Sequence, residues 1–222
     1  MATIFLKSMI TDYISEVLGV NPVPEVRGEE YQMWDDGGVE CAVGEFLWAM
    51  TRLLRPNYVL ETGVYHGWSS SYIGCALNEN NKGYLDAVEY EIKHIQTSKE
   101  KWQKLKIDKR IVEHHISSLE FTPKHNYELI FLDTEPQIRF QELVRFYPYL
   151  NEGGYVFIHD TPRNLTQGNI NPDHPEFKSW PFGDLPEEIN IWVQIKQLIP
   201  FHLPSPRGLI GFYKRHKDDY EF

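Results

Sequence analysis

A glycine turn between an apolar strand and a helix is the feature of this sequence that most restricts its fold. Residues 58–62 form an apolar run that predicts a β-strand, and the turn after it has a glycine at each end, Gly63 and Gly67. A helix is predicted from Trp68 to about Leu77. Strand, glycine turn and helix in this order open a nucleotide-type βαβ unit, whose ligand lies at the carboxyl end of the strand.

The rest of the chain alternates between predicted strands and predicted helices. Further strands are expected at residues 83–89, 111–115, 127–133, 155–160, 201–203 and 208–214. Helices are expected at residues 1–20, 40–54, 91–105, 137–150 and 186–198, the fourth closed by residues 151–154 with their two glycines. This alternation predicts an α/β fold: a Rossmann-like, doubly wound, mostly parallel seven-stranded sheet with an antiparallel last strand.

The charge balance and the hydropathy pattern exclude two kinds of partner. The 222 residues carry a net charge of −10, whereas binding nucleic acid through its phosphates requires basic patches. No stretch approaches the ~20 apolar residues of a membrane span, and no basic region followed by an apolar run opens the sequence. We therefore expect a cytoplasmic protein in which the two cysteines, Cys41 and Cys75, are buried or semi-buried thiols.

An acidic residue ends the second predicted strand of the βαβ unit. Glu89 stands 89 − 63 = 26 positions after the first glycine of the turn. A carboxylate at this place can accept two hydrogen bonds from a ribose diol. The neighbouring Glu91 is the alternative, although it is expected to begin the next helix and face solvent.

Residues 59–69, Val-Leu-Glu-Thr-Gly-Val-Tyr-His-Gly-Trp-Ser, resemble the first motif of class I S-adenosylmethionine-dependent methyltransferases. The closer similarity is to catechol and caffeoyl-CoA O-methyltransferases and to macrocin-type sugar O-methyltransferases. It extends over about residues 39–165, and its specificity lies in the order of the motifs. The resemblance implies a single methyltransferase domain over residues 1–222, with N-terminal helices and a flap at 1–55, a donor-binding core at 56–165, and an acceptor loop and C-terminal hairpin at 166–222.

The resemblance also implies which residues bind the methyl donor, S-adenosylmethionine. The methionine end of the donor would be surrounded by Glu61, Gly63, Tyr65 and Gly67, with Tyr65 near the transferring methyl group and Ser69 at the donor carboxylate. Anion binding by Ser69 would suit the N-terminus of a helix. The nucleoside end would contact Glu89 at the ribose and Tyr90 and Ser118 at the adenine. A segment at Val39 and Glu40 would close over the donor.

Two further acids end predicted strands, Asp133 and Asp160. The carboxyl ends of parallel strands meet at one edge, where oxygen ligands suit Mg²⁺. By resemblance to the catechol-type enzymes, both would hold a metal that orients the acceptor hydroxyl. The sequence departs from that pattern, because Pro136 replaces a lysine and Thr161 replaces an asparagine. Glu135 could complete the metal shell; alternatively, Asp133 only faces the donor and Asp160 caps a loop.

Histidine is the other candidate for removing the acceptor proton. His159 precedes Asp160 at the predicted reaction edge and has a suitable pKa range, while His66 lies in the glycine turn. The predicted catalytic residues are therefore Asp133, His159 and Tyr65. Trp34 and Trp180 lie on segments rich in glycine or proline and could line an acceptor pocket under a closing loop.

The sequence predicts an S-adenosylmethionine-dependent O-methyltransferase acting on a small-molecule hydroxyl, of a sugar or a phenol, with or without Mg²⁺. N-methylation without a metal and a non-catalytic donor-binding or assembly subunit are alternatives. An NAD-linked or nucleotide-sugar oxidoreductase is a third, although the glycine spacing G-x-x-x-G differs from the dinucleotide motif G-x-G-x-x-G. A homodimer is expected only from the frequency of symmetric dimers.

Overall fold

The computed structural model describes residues 9–24, 32–35, 38–161, 187–203 and 207–216. Its helices are α1 (Met9–Leu18), α2 (Cys41–Leu54), α3 (Trp68–Glu79), α4 (Ile92–Lys104), α5 (Arg139–Phe146) and α6 (Glu187–Ile195). Its strands are β1 (Val23–Pro24), β2 (Gln32–Met33), β3 (Tyr58–Thr62), β4 (Tyr84–Glu89), β5 (Ile111–His115), β6 (Tyr127–Leu132), β7 (Leu150–His159), β8 (Leu198–Leu203) and β9 (Leu209–Lys214). None of the described helices has the length and apolar character needed to cross a membrane.

Seven of the strands form one sheet in the order β5-β4-β3-β6-β7-β9-β8. Strands β3 to β7 pair in parallel, while β9 runs antiparallel to both of its neighbours, β7 and β8. The predicted seven-stranded, mostly parallel sheet with an antiparallel last strand is confirmed. The last described strand, β9, is inserted beside β7 rather than added at the edge, so Arg207 and Gly208, just before β9, lie next to the carboxyl end of β7.

Helices cover both faces of the sheet because alternate strand residues point to opposite sides. One core joins the strands to α2, α3 and α4 through Leu47, Val59, Tyr72, Leu85 and Trp102. The other joins the strands to α5 and α6 through Leu60, Ile130, Leu143, Phe146 and Val193. Cys41 and Cys75 are buried free thiols, as expected, and burial raises the pKa of each to about 12.

The prediction of a helix over residues 137–150, closed by residues 151–154, is wrong at its end. Helix α5 ends at Phe146, one 3₁₀ turn spans Tyr147–Tyr149, and β7 begins at Leu150. Pro148 explains the early end, since proline lacks the N–H that a helix interior needs. Gly153, with φ 76, lies within β7 where the pairing with β6 is irregular. It therefore permits an irregularity in the strand and does not end a helix.

The other predicted elements are present, with ends that move by a few residues. The first predicted helix is seen as α1, and its residues 1–8 lie outside the described residues. The predicted loop at 161–185, with Trp180, also lies outside them except for Thr161.

Candidate active site

A cavity of about 630 Å³ opens at the carboxyl ends of β3, β4, β6 and β7. Seven of the predicted site residues line it: Gly63, Tyr65, Glu89, Tyr90, Ser118, Asp133 and Asp160. Four others do not line it and are buried behind its wall: Glu61, Gly67, Ser69 and His159. The strand ends therefore bring most of the predicted residues together, at the edge where ligands bind in doubly wound sheets.

The two glycines of the turn allow close packing within the protein. Gly63 has φ 78, and a Cβ there would lie 2.3 Å from the carbonyl oxygen of Asp133. Gly67 has φ 74, and a Cβ would lie 2.6 Å from Ser98 Oγ. By resemblance, these glycines would surround the methionine end of the donor. In the structure they seat the turn against the end of β6 and against α4, which holds the Tyr65 backbone at the cavity.

The carboxylate of Glu89 is fixed by backbone groups at the end of β4. Its Oε2 accepts the Tyr65 N–H at 2.9 Å, and its Oε1 accepts the Glu91 N–H at 2.9 Å. The side chain of His94 also lies near it, with Nδ1 3.7 Å from Oε1. Each carboxylate oxygen has a further lone pair, so a rigid pair of acceptors faces the cavity.

Glu61 is fully buried behind the turn and carries an unused acceptor. Ser70 Oγ donates to its Oε2, whereas Oε1 has no hydrogen-bond partner within the described part of the chain. Burial raises the pKa of Glu61 to about 7, although Ser69 and Ser70 act in the opposite direction. A buried oxygen without a partner is costly, and a cationic ligand group beside it would remove that cost. Ser69 therefore acts on Glu61, and it does not line the cavity.

The aromatic residues near the turn are held in two stacks. The Tyr65 ring stacks on His66 with centroids 3.7 Å apart, and His66 Nδ1 lies 2.8 Å from Asp35 Oδ2. His66 does not line the cavity, so the structure gives no support to its role as a base. Trp34 stacks on Trp68 and is buried, which contradicts its expected place in a pocket wall.

Asp133 and Asp160 meet as predicted, but two arginines lie between them. Arg207 Nε is 2.7 Å from Asp160 Oδ1, and Arg207 Nη2 donates to Asp160 Oδ2 at 2.9 Å. Arg139 Nη2 lies 3.2 Å from Asp160 Oδ2 and 3.4 Å from Asp133 Oδ1. Burial alone would raise the pKa of Asp160, but Arg207, the charge of His159 and Arg139 outweigh it and hold the pKa well below its usual range.

His159 is fully buried with both ring nitrogens engaged. Nε2 lies 2.6 Å from Glu40 Oε2, and Nδ1 lies 3.0 Å from Asp133 Oδ1. Burial alone would lower the pKa of His159, but the carboxylates of Asp160, Asp133 and Glu40 raise it to about 10. At neutral pH the ring is therefore a cation that donates from both nitrogens. The prediction of His159 as the general base is not supported, because it has no free lone pair for an acceptor proton.

The residues that hold Mg²⁺ by resemblance do not fit a metal ion in this structure. The ligand atoms of Asp133, His159 and Asp160 do lie within 4.8 Å of one another. However, both Asp160 oxygens are bound by Arg207, and Asp133 Oδ1 is bound by His159. Thr161, at the asparagine position, donates its hydroxyl to the Ile158 carbonyl at 3.2 Å. Glu135 lines the cavity and makes no described contact with this group.

Sequence reasoning missed Arg139 and Arg207 entirely and gave Glu40 only a loose place near the donor. Arg139 stands six residues after Asp133, which is a weak local signal for a shared site. Arg207 is 47 residues from Asp160, and nothing in the sequence predicts their contact. Its backbone N–H donates to Glu40 Oε1 at 3.1 Å, and Nη1 donates to the Gly38 carbonyl at 2.6 Å, so it ties three parts of the chain together.

Comparison with known proteins agrees with this geometry. Residues 60–161 match a family model described as a methyltransferase domain. A protein of Mycobacterium sp. (strain KMS), assigned in name to the O-methyltransferases, is 23% identical over 179 residues, which cover 79% of this chain and 78% of that protein.

Two solved structures extend the similarity to the whole fold. The methyltransferase PaMTH1 of Podospora anserina, bound to S-adenosylhomocysteine, has a TM-score of 0.67 at 14% identity over 97% of this chain and 100% of that one. The O-methyltransferase TomG of Streptomyces achromogenes, in complex with S-adenosylmethionine, has a TM-score of 0.62 at 13% identity over 97% and 93%. These matches confirm the predicted Rossmann-like fold. The match of residues 60–161 to the methyltransferase family model agrees with the predicted resemblance to class I methyltransferases.

Proposed function

We propose that the protein is an S-adenosylmethionine-dependent O-methyltransferase acting on a small-molecule hydroxyl. The observation that carries the proposal is the rigid carboxylate of Glu89, held by two backbone N–H groups at the end of β4 and open to a cavity of about 630 Å³. A fixed pair of acceptors at this place matches a ribose diol. The names of the relatives support oxygen as the methylated atom.

The remaining residues in and behind the cavity wall divide between the donor and the acceptor. Glu61 is buried behind the wall, and its Oε1, which has no partner among the described residues, fits the ammonium group of the donor. Tyr90 and Ser118 line the side that would hold the adenine. Tyr65 and Asp133 also line the cavity, and we place the transfer of the methyl group beside them. When bound, the donor supplies an electrophilic methyl group, and the protein contributes alignment and removal of the hydroxyl proton.

Asp133 is the best candidate for receiving the acceptor proton. Its Oδ1 is bound by His159, whereas its Oδ2 makes no hydrogen bond with the described residues, and the side chain lines the cavity. The cationic His159 fixes the orientation of this carboxylate, as a buried partner does for a catalytic group. His159 therefore acts through Asp133 and does not take the proton itself.

Calorimetric titration with S-adenosylhomocysteine tests the donor site. One binding site per chain is expected, with no binding of NADH, which the oxidoreductase alternative requires. Release of S-adenosylhomocysteine from S-adenosylmethionine is then followed with a panel of phenols, sugars, hydroxy acids and amines. Turnover on hydroxyl acceptors supports the proposal, turnover on amines alone would favour N-methylation, and absence of donor binding would overturn it.

We further propose that the two ligands are bound by different parts of the chain, as predicted from the sequence: residues 56–165 bind the donor and residues 166–222 contribute to the acceptor side. Arg207, which belongs to the second part and lines the cavity, supports this division. The cytoplasmic location and the homodimer are predictions from sequence alone, and the sequence leaves open whether Mg²⁺ assists the reaction. Light scattering coupled to size exclusion tests the dimer directly.

A further inference from the structure

We propose that Arg207 takes the place of a divalent metal on the acceptor side of the cavity, as a fixed cation beside the acceptor oxygen. This inference deepens the proposed methyl transfer and rests on it. It departs from the resemblance, by which Asp133 and Asp160 would hold Mg²⁺. Three observations support it. The atoms that would bind a metal already have protein partners, the charges at the site balance, and Arg207 lines the cavity.

The oxygens that a metal needs are already bound by protein donors. Both oxygens of Asp160 pair with the fork of Arg207, at 2.7 and 2.9 Å. Asp133 Oδ1 contacts His159, which leaves Asp133 Oδ2 as the carboxylate oxygen of this pair without a partner among the described residues. Mg²⁺ takes about six oxygen ligands near 2.1 Å, so one remaining oxygen offers a poor shell.

Charge at the site is balanced without a metal. Three negative charges face three positive ones: the carboxylates of Glu40, Asp133 and Asp160, and the cations of Arg139, His159 and Arg207. A divalent ion placed here would lie within a few ångströms of both guanidinium groups, in a buried setting where repulsion between like charges is strong. A metal could bind only by displacing an arginine.

The two arginines differ in what they offer to a ligand. Arg139 is 3% exposed, and its Nε and both terminal nitrogens bind the carbonyls of Thr134 and His159 or the two aspartates. Arg207 is 22% exposed and lines the cavity. Its described bonds use Nε and one proton on each terminal nitrogen, which leaves a second proton on each. Arg207 is therefore the cation that can contact an acceptor oxygen as it loses its proton.

Titration of the S-adenosylhomocysteine complex with Mn²⁺ tests whether Arg207 takes the place of a metal. The electron paramagnetic resonance signal of free Mn²⁺ measures how much of the ion is bound. The wild-type complex is expected to bind no Mn²⁺ at this site. Arg207→Met, which removes the charge and keeps the length, is expected to bind Mn²⁺ at least about tenfold more tightly than wild type, because Asp160 loses its counter-charge. Arg145→Met, which removes an arginine that contacts only the Phe121 carbonyl in the described structure, is the matched control.

The outcomes separate this inference from the proposed function. Wild-type binding of one Mn²⁺ per chain that is lost in Asp160→Asn would overturn the inference and leave methyl transfer intact. Loss of S-adenosylhomocysteine binding would instead count against the donor site. If Arg207→Met folds, binds S-adenosylhomocysteine and gains no Mn²⁺ affinity, the guanidinium is not what excludes the ion.

The role toward the acceptor is tested with any hydroxyl compound that supports turnover. Wild-type turnover is expected to be unchanged by EDTA. Arg207→Met is expected to lower kcat/KM at least about tenfold, as loss of a charged hydrogen bond would, and Arg207→Lys is expected to recover part of it. Turnover that EDTA abolishes and Mg²⁺ restores would contradict the proposal, as would an Arg207→Met variant with wild-type kcat/KM.

Discussion

Glu40 and His159 are 119 residues apart in the chain, yet Glu40 Oε2 and His159 Nε2 lie 2.6 Å apart and both side chains are fully buried. Glu40 immediately precedes α2, and His159 ends β7. The other ring nitrogen of His159, Nδ1, contacts Asp133. The pair therefore connects the N-terminal helices to the proposed proton acceptor. Burial alone would raise the pKa of Glu40, but the charge of His159 and its hydrogen bond lower it, so the pair is ionic at neutral pH.

Removing one member of this pair is expected to destabilise the fold. Glu40→Gln leaves the buried charge of His159 with less compensation, and we expect a loss of about 3 kcal/mol in the free energy of unfolding. Chemical denaturation of Glu40→Gln, His159→Gln and the double variant measures the coupling. A coupling energy below about 0.5 kcal/mol would show that the two residues do not interact in solution.

Replacing Glu61 is expected to change stability and donor binding in opposite directions. The pKa of this carboxyl is raised from 4.5 to about 7 by burial, so its favourable contribution is complete below pH 4.5 and is lost as the pH rises through 7. Glu61→Gln has no such loss, and it should exceed wild type in stability by about 1 to 3 kcal/mol at pH 8 and by much less at pH 5. Denaturation at both pH values measures the difference.

The donor-binding part of the same prediction has its own measurement. A donor ammonium beside Glu61 would favour the charged carboxylate, so binding at pH 7 should release part of a proton. Calorimetric titration in buffers of different ionisation enthalpy detects that release. Glu61→Gln should bind S-adenosylhomocysteine more weakly and release no proton from this group; equal affinity in both proteins would exclude the contact.

Glu89 should account for a large part of the affinity for the donor. Glu89→Ala removes two acceptors for the ribose diol, each a charged hydrogen bond, and we expect roughly 10- to 100-fold weaker binding of S-adenosylhomocysteine. Glu91→Ala is the matched control. Glu91 is the other acidic residue at the end of β4, and its side chain pairs with Lys93 at the surface. Similar affinity losses in the two variants would argue against a specific role for Glu89.

Replacing each of two glycines by alanine distinguishes the cost of a steric clash from the cost of backbone strain, because the two have nearly the same φ. Gly63 has φ 78 and a Cβ there would meet the Asp133 carbonyl, whereas Gly153 has φ 76 and nothing lies within 4 Å of a Cβ. Gly153→Ala should cost about 1 kcal/mol for the left-handed backbone alone. Gly63→Ala should cost at least about 2 kcal/mol more and weaken donor binding, since the turn must shift away from β6. Equal costs by denaturation would mean that the turn adjusts freely.

The elements that could be predicted are those encoded by short runs of sequence. The observed ends of β3 and β5 match the predicted ones. The apolar run of β3 marks a buried strand, and four of its five residues are buried. The strand ends then brought Glu89, Asp133 and Asp160 to one edge, as parallel topology requires. The end of α5 was missed because Gly153 and Gly154 look the same in sequence whether they stop a helix or distort a strand.

The charged group around Asp160 could not be predicted because it depends on strand order. Arg207 reaches Asp160 only because β9 pairs with β7, and no local pattern states which strand lies beside which. The same holds for Glu40, whose partner His159 lies 119 residues further along the chain. The role of His159 followed from residue type alone, and the surrounding carboxylates, invisible in the sequence, changed it from base to cation.

Insertion of β9 beside β7 also has a consequence for how the protein reaches its working form. The contacts of Arg207 with Gly38 and Glu40 span 169 and 167 residues, so they are among the most distant in the chain. Distant contacts form slowly because a long loop must close first. During synthesis, β3 to β6 leave the ribosome well before residue 207, and the half of the cavity that would hold the donor can order first. The acceptor side is then completed only when Arg207, which is synthesised after all of these strands, reaches Asp160.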